Sequence, residues 1–355
     1  MEIKEIVYQS LFNNLSKNDT QNVFTPPRLI RRMLGRLRFD SDSTVLVWYN
    51  VEFLVYLIKE VGLNPKNIYI YTNTEDKSIL EKKGYNVFYQ DIIDFDKIDN
   101  QFKNMKFDVV LGNPPFSKNK KEPIRLWSLF VVKSFDLCKE GGTIALVTPS
   151  SWISSTNYAH KHVKDKICYV NLSNTTSEYF GTTGGSQKFI YFIAKNEISN
   201  NCITQFDGDV ILEINPCNTD YPPVKSTSHH IYSIVKKISD SNLPVHNWVR
   251  YDKSETSQGV VVSMSKGSEY DVTFSPIDQL SVSRYKLCCD EDKGAIIASN
   301  LNLKIYKILR WVIRSGPALA SNFKLLPIPN TYKTDIDIYQ FLNLSQDEID
   351  YVENY

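Results

Sequence analysis

The sequence predicts an α/β protein, a doubly wound, mostly parallel Rossmann-like sheet in residues 1–197 followed by an α+β domain in residues 198–355. Three observations predict it. Short apolar runs alternate with helical patterns from Thr44 to Ile193, the signature of strands linked by crossover helices. At 42% hydrophobic over 355 residues, the chain can bury the core that such a sheet needs. At Asn196-Glu-Ile-Ser-Asn-Asn-Cys202 the composition turns polar and turn-rich, which marks a boundary.

The elements follow in order. Leu29, Ile30, Met33, Leu34 and Leu37 recur at helical spacing behind Pro26-Pro27, so a helix starts there. Arg28, Arg31, Arg32, Arg36 and Arg38 coat it and read as a solvated face. Thr44–Trp48 is the first strand and Val51–Val61 its helix. Asn67–Thr72 is the second strand, with a short helix from Asp76 to Lys83. Asn86–Tyr89 is the third and Phe107–Leu111 the fourth, followed by a helix from about Ile124 to Cys138. Gly141-Gly142 reads as a turn before a fifth strand, Thr143–Thr148, and Phe189–Ile193 is a late strand. Beyond the boundary, Gly259–Ser263 reads as a strand and Leu301–Arg314 as a helix, while Ser345-Gln-Asp-Glu348 is a capping box opening a last helix. Folds of this class bind ligands at the carboxyl ends of their strands, near the switch point of the strand order.

The chemistry is concentrated in Asn113-Pro114-Pro115-Phe116, directly after the fourth strand. Proline fixes its own φ and restricts the residue before it, so two prolines hold a stiff loop with a carbonyl facing outward. Asn113 adds a side-chain carbonyl acceptor. Two acceptors can grip both hydrogens of one NH2 group. An amino group on adenine or cytosine shares its lone pair with the ring and is a poor nucleophile; two acceptors beneath it favour a pyramidal nitrogen with the lone pair aimed at an electrophile. Phe116 offers a face on which an extruded base can stack. No strong base is required, and no Cys–His or Ser–His–Asp set suggests itself.

On these residues the chain resembles the DNA amino-methyltransferases, specifically the adenine-N6 group with the cofactor region first and a target-recognition domain last. Asn22-Val-Phe24-Thr25-Pro26 is similar to that family's N-terminal cofactor-contacting segment. Gln90-Asp91-Ile92-Ile-Asp94-Phe95 is similar to its third motif, whose acidic residue takes the adenine amino group of S-adenosylmethionine. Gly141-Gly-Thr-Ile-Ala-Leu-Val-Thr-Pro149-Ser-Ser-Trp152 is similar to the strand and loop after the catalytic motif, and Leu326-Pro-Ile-Pro329 to tails of phage and restriction-type adenine methyltransferases. The resemblance implies a Rossmann-like methyltransferase sheet and S-adenosylmethionine as cofactor. It also implies double-stranded DNA with a flipped adenine as substrate, and a restriction endonuclease as a partner. Asn113, Pro114, Pro115 and Phe116 become the catalytic set. Phe24, Thr25, Pro26, Asp91, Ile92 and Asn113 become cofactor contacts.

Two departures stand out. The family's first motif is a glycine-containing turn after strand one, and here Val45-Leu-Val-Trp48-Tyr49-Asn50-Val51-Glu52-Phe53 contains no glycine. The acidic residue expected after strand two is replaced by Thr72-Asn73-Thr74. Tyr49, Asn50, Glu52 and Asn73 are the candidates for alternative cofactor contacts; a degraded site, leaving a methyltransferase-like DNA-binding subunit, is the competing reading. RNA and protein amides are other substrates for Asn-Pro-Pro-aromatic loops, and the long recognition domain favours nucleic acid. Cytosine N4 is open to the same chemistry, although its enzymes more often carry serine in place of Asn113.

Lys118, Lys120, Lys121 and Arg125 follow the loop and are candidates to neutralise phosphates beside a flipped nucleotide. Tyr179 and Phe180 fall where a second base-facing segment is expected, and Trp127 reads as core. His160 with His162, and His229 with His230, lack further ligands at metal-binding spacing, so no metal is expected. The net charge of +1 requires any nucleic-acid affinity to come from local basic surface. No apolar run of about 18 residues predicts a transmembrane helix. The six cysteines form no CxxC pair and the N-terminus does not read as a signal peptide, so a cytoplasmic setting is expected.

Overall fold

The computed structural model describes residues 25–72, 77–90, 93–115, 126–153, 157–173, 189–217, 228–250, 259–264, 270–275, 284–312 and 325–355. The chain divides into two compact units, one built on residues 1–152, 161–205 and 211–215, the other on 153–160, 206–210 and 216–355.

The first unit holds nine strands of one sheet among its described residues: β1 (Val45–Trp48), β2 (Ile68–Thr72), β3 (Asn86–Tyr89), β4 (Phe107–Gly112), β5 (Cys138–Pro149), β6 (Ile167–Asn171), β7 (Phe189–Lys195), β8 (Ile203–Gln205) and β9 (Ile211–Glu213). Their order is β3-β2-β1-β4-β5-β7-β6-β8-β9. β1 to β5 pair in parallel, and β7 lies antiparallel to both β5 and β6. This is the expected α/β, mostly parallel, Rossmann-like sheet. Helices α1 (Pro27–Leu34), α2 (Glu52–Tyr56), α3 (Lys77–Lys82), α4 (Phe95–Gln101) and α5 (Leu126–Leu137) accompany it.

The sequence explains these elements locally. β1 is Val-Leu-Val-Trp and fully buried, as a central parallel strand must be. α1 begins at Pro27, where proline's missing N–H costs nothing, and buries Leu29, Ile30, Met33 and Leu34. Asp94 caps α4 by accepting from the Asp96 and Lys97 N–H groups. That helix was not expected from its polar sequence. The Val51–Val61 helix is real but divided, its second half (Leu57–Val61) being a π-helical turn closed by Gly62 at φ 80°. Gly141-Gly142 is not the turn it was expected to be. β5 already pairs with β4 at Cys138 opposite Phe107, and the next pairing is Thr143 opposite Val109, so the two glycines sit in an irregularity within the strand. A Cβ on Gly142 would lie 2.6 Å from the Cys138 sulfur.

Two of the arginines on α1 and just beyond it have local tasks. The Arg31 Nε donates to Glu60 at 2.8 Å, and the Arg36 guanidinium lies 3.9 Å from the Tyr169 ring centroid. Trp127 is core. No helix among the described residues is long and apolar enough to cross a membrane.

The second unit contains α6 (His229–Ser239), an antiparallel sheet ordered β10-β13-β11-β12, and helices α7 (Glu291–Leu301), α8 (Lys304–Val312), α9 (Asp335–Phe341) and α10 (Gln346–Glu353). The strands are β10 (Val249–Arg250), β11 (Gly259–Met264), β12 (Tyr270–Ser275) and β13 (Arg284–Cys288). The expected helix Leu301–Arg314 is two elements, because Leu301 ends α7 and α8 starts at Lys304. The Leu326–Pro329 segment is pinned by Tyr306 to the Pro327 carbonyl (2.9 Å), by Asn300 to that of Pro329 (3.0 Å) and by His246 at the Ile328 carbonyl (3.1 Å). The capping box is present, with Ser345 and Glu348 bonding reciprocally at the start of α10.

Candidate active site

The strand order reverses between β1 and β4. These neighbours are in register with Trp48 opposite Gly112, so the chain leaves both strands at the same level, as Tyr49 and as Asn113. A crevice at that switch point is where folds of this class place ligands. The approach is close: a Cβ on Gly112, whose φ is 148°, would lie 2.6 Å from the Trp48 carbonyl oxygen. Glycine is therefore required at the base of the Asn-Pro-Pro loop.

Four residues, from three distant stretches, bond to each other here. The Asn113 N–H donates to Asn50 Oδ1 at 3.0 Å, and Asn113 Nδ2 donates to Thr25 Oγ1 at 3.1 Å. The Thr25 N–H donates to Glu52 Oε1 at 3.2 Å. Glu52 in turn interacts with the Asn50 side chain, closing a ring. All four are buried. Burial pushes the Glu52 carboxyl up to about 7 against the hydrogen bonds from its own N–H, Thr25 and Asn50, which pull the other way. Asn113 is 3% exposed, yet its Oδ1 has no hydrogen-bond partner among the described residues. A buried acceptor left open in this way is costly unless something else fills it.

The glycine-free first motif has a structural counterpart. Tyr49 adopts φ 63°, the left-handed backbone that glycine would supply. Its ring packs edge-on to Tyr71 and Phe130, at 5.2 and 5.5 Å between centroids. Trp48 lies beneath, donating through Nε1 to Ser134 Oγ at 2.8 Å. Burial, and then the neighbouring Tyr71 hydroxyl, push the Tyr49 phenol upward, so it stays protonated. Tyr71 donates to Gln90 Oε1 at 2.5 Å, and the Asp94 N–H donates to the same oxygen at 3.2 Å. Gln90 Nε2 is a second buried polar atom without a partner among the described residues. The sequence had marked Gln90 only as the neighbour of Asp91.

Of the residues singled out in the sequence, Thr25, Asn50, Glu52 and Asn113 are thus brought together. Pro26 adjoins Thr25, Tyr49 adjoins Asn50, and Pro114 and Pro115 follow Asn113. Phe24, Asn73, Asp91, Ile92, Phe116, Lys118, Lys120, Lys121, Arg125, Tyr179 and Phe180 lie outside the described residues.

Residues 56–174 match the model of the family described as Eco57I restriction-modification methylase. That segment is thus similar to the methylase family that its motifs resemble. The methylase match includes the Asn113 loop and begins after Thr25, Asn50 and Glu52. An uncharacterized adenine-specific methylase of Mycoplasma pneumoniae is 28% identical over 116 residues, 30% of this chain and 25% of that protein. The match thus spans a quarter of that relative's length. Among solved structures, a Listeria monocytogenes protein described as a class I S-adenosylmethionine-dependent methyltransferase gives a TM-score of 0.40 at 10% identity, covering 57% of this chain and 71% of that one. The M protein of the type I restriction enzyme EcoKI gives 0.38 at 15% identity, covering 58% and 52%.

Proposed function

We propose that this protein transfers a methyl group from S-adenosylmethionine to N6 of adenine in DNA. The observation that carries the reading is the buried Asn113 amide, tethered through its NH2 to Thr25 and through its backbone N–H to Asn50, its Oδ1 having no partner among the described residues. An open acceptor on a stiff loop is what gripping an exocyclic amine requires.

The residues present suit the cofactor. Gln90 Nε2, buried and without a partner among the described residues, offers a donor at the carboxyl end of β3. Phe24, Thr25, Pro26, Asp91, Ile92 and Asn113 are the residues that the resemblance assigns to hold it, with Tyr49, Asn50, Glu52 and Asn73 as the alternative contacts. S-adenosylmethionine supplies, when bound, an electrophilic methyl carbon on a sulfonium sulfur. The chain's own task is to present the nucleophile. Asn113 Oδ1 and the Pro114 carbonyl accept the two N–H bonds of the adenine amine, which directs its lone pair away from the loop. The two prolines keep both acceptors in place, so little ordering is left for the moment of reaction. After transfer the nitrogen sheds one proton to water. The base must leave the duplex to reach the loop, at a cost of a few kcal/mol, and Phe116, with Tyr179 or Phe180, stacks on it. Lys118, Lys120, Lys121 and Arg125 take the flanking phosphates. Residues 198–355 act as the target-recognition domain, and a restriction endonuclease is the expected partner.

The left-handed Tyr49 backbone supports a working site over an impaired one, because the conformation glycine would provide is present. The test is transfer of labelled methyl from S-adenosylmethionine to unmethylated duplex DNA, with single-stranded RNA in parallel. Transfer to DNA that Asn113→Ala abolishes is expected. Transfer to RNA alone would sink the DNA assignment, and no binding of S-adenosylmethionine by calorimetry would sink the enzyme.

A further inference from the structure

We infer that Glu52 is a positioning residue for the amine-gripping amide, its carboxylate closing a hydrogen-bonded ring Glu52–Thr25–Asn113–Asn50 that fixes which way Asn113 Oδ1 faces. The inference rests on the methyl-transfer reading of Asn113. An asparagine amide can turn about its last torsion and exchange its oxygen for its NH2, which would offer the target amine a donor in place of an acceptor. Here the Asn113 NH2 donates to Thr25 Oγ1 at 3.1 Å, so Thr25 holds that end of the amide and Oδ1 faces the other way. Thr25 immediately precedes Pro26 and α1 and lies in no helix or strand among the described residues. What holds its backbone is the 3.2 Å hydrogen bond from its N–H to Glu52 Oε1. The other side of the ring is Asn50, whose Oδ1 takes the Asn113 N–H and whose side chain bonds Glu52.

Glu52 is 4% exposed, and a carboxylate at that depth is otherwise disfavoured. The groups that act on it are its own N–H, the Thr25 N–H and the Asn50 side chain, and all of them favour the ionised form. Burial opposes them and brings the carboxyl to about 7. The ring is therefore complete at slightly alkaline pH and loosens as Glu52 takes up a proton. A protonated Glu52 keeps an acceptor oxygen but loses the charge that strengthens the hydrogen bond from Thr25.

Two readouts on Glu52→Gln test this, one independent of turnover. Glutamine keeps an acceptor oxygen for Thr25 and cannot ionise. In wild type, kcat should fall on the acid side with a midpoint near 7; in E52Q that limb should vanish, with a plateau about tenfold lower and KM for S-adenosylmethionine unchanged within about twofold. An E52Q enzyme with wild-type kcat and the same acid limb overturns the inference. The side-chain amide signal of Asn113 in an NMR titration from about pH 5.5 to 8.5 supplies the second readout. It should titrate near 7 in wild type and stay constant in E52Q. Equal titration in both proteins, or none in wild type, overturns the inference even if E52Q is poorly folded or inactive. A wild-type protein that transfers no methyl but shows the titration would sink the methyl-transfer reading while leaving the role of Glu52 standing.

Discussion

Replacing Glu52 by glutamine should stabilise the folded protein above pH 7 and have little effect near pH 5. In the folded state the carboxyl keeps its proton up to about 7, whereas in the unfolded chain it loses it around the ordinary 4.5. Between those values the folded state binds more protons, so stability contributed by the neutral form is present below 4.5 and is lost as pH rises through 7. The gap, 7 minus 4.5, is 2.5. At about 1.4 kcal/mol per pH unit, ionising Glu52 inside the protein costs about 3 kcal/mol. Glutamine escapes that cost, and the charge-assisted hydrogen bond from Thr25 that it gives up is already contained in the raised value. The net expectation is a gain of about 3 kcal/mol at pH 8, shrinking to under about 1 kcal/mol at pH 5. Urea denaturation at both pH values measures it, with hydrogen exchange of the β1 amides assigning the transition to the first unit. An E52Q protein less stable than wild type by the same margin at both pH values would refute the reasoning, because it would mean the buried carboxyl carries no ionisation cost. The predicted gain matters for function: the ionised Glu52 costs stability at working pH, and what it supplies there is the placement of Thr25.

Two further substitutions test the frame around the site. Tyr49→Gly relieves the left-handed backbone, worth about 1–2 kcal/mol. It also deletes a buried ring, worth about 3–5 kcal/mol. Net destabilisation of about 1–4 kcal/mol in urea is expected, and a stabilised Y49G would show that the ring contacts to Tyr71 and Phe130 contribute little. Gly112→Ala puts a methyl 2.6 Å from the Trp48 carbonyl and should part β1 from β4, giving a loss of more than about 3 kcal/mol or insoluble protein. A G112A protein with an unchanged melting temperature would contradict the close approach of the two strands.

Much of this arrangement was legible in the sequence. β1, β2 and β4 declare themselves as near-continuous apolar runs, because a parallel strand buried on both faces leaves little room for polar residues. Thr25, Asn50, Glu52 and Asn113 each stand out as polar residues beside a strand end or helix start. That they bond to one another did not, since it depends on the register placing Trp48 opposite Gly112, which no local pattern encodes. The missing glycine of the first motif was legible as an absence. The left-handed Tyr49 that takes its place was not, because a bulky residue at positive φ runs against propensity and persists only where packing holds it. β6 escaped notice because Ile-Cys-Tyr-Val-Asn is short and ends in a polar residue, and Asn171 is buried only because Tyr169, Tyr191 and Gln205 surround its amide. Gly141-Gly142 suggested a turn because paired glycines usually mark one; here the strand resumes on either side of them.

The central claim is that Asn113 presents an adenine amine for methylation. Sequencing DNA with base-modification detection, from a methylation-free host expressing this protein, tests it most directly. The account predicts N6-methyladenine confined to one sequence context, absent when the host expresses Asn113→Ala at equal soluble level. Unmodified DNA from cells containing abundant folded wild-type protein, or the same modification with N113A, would contradict it.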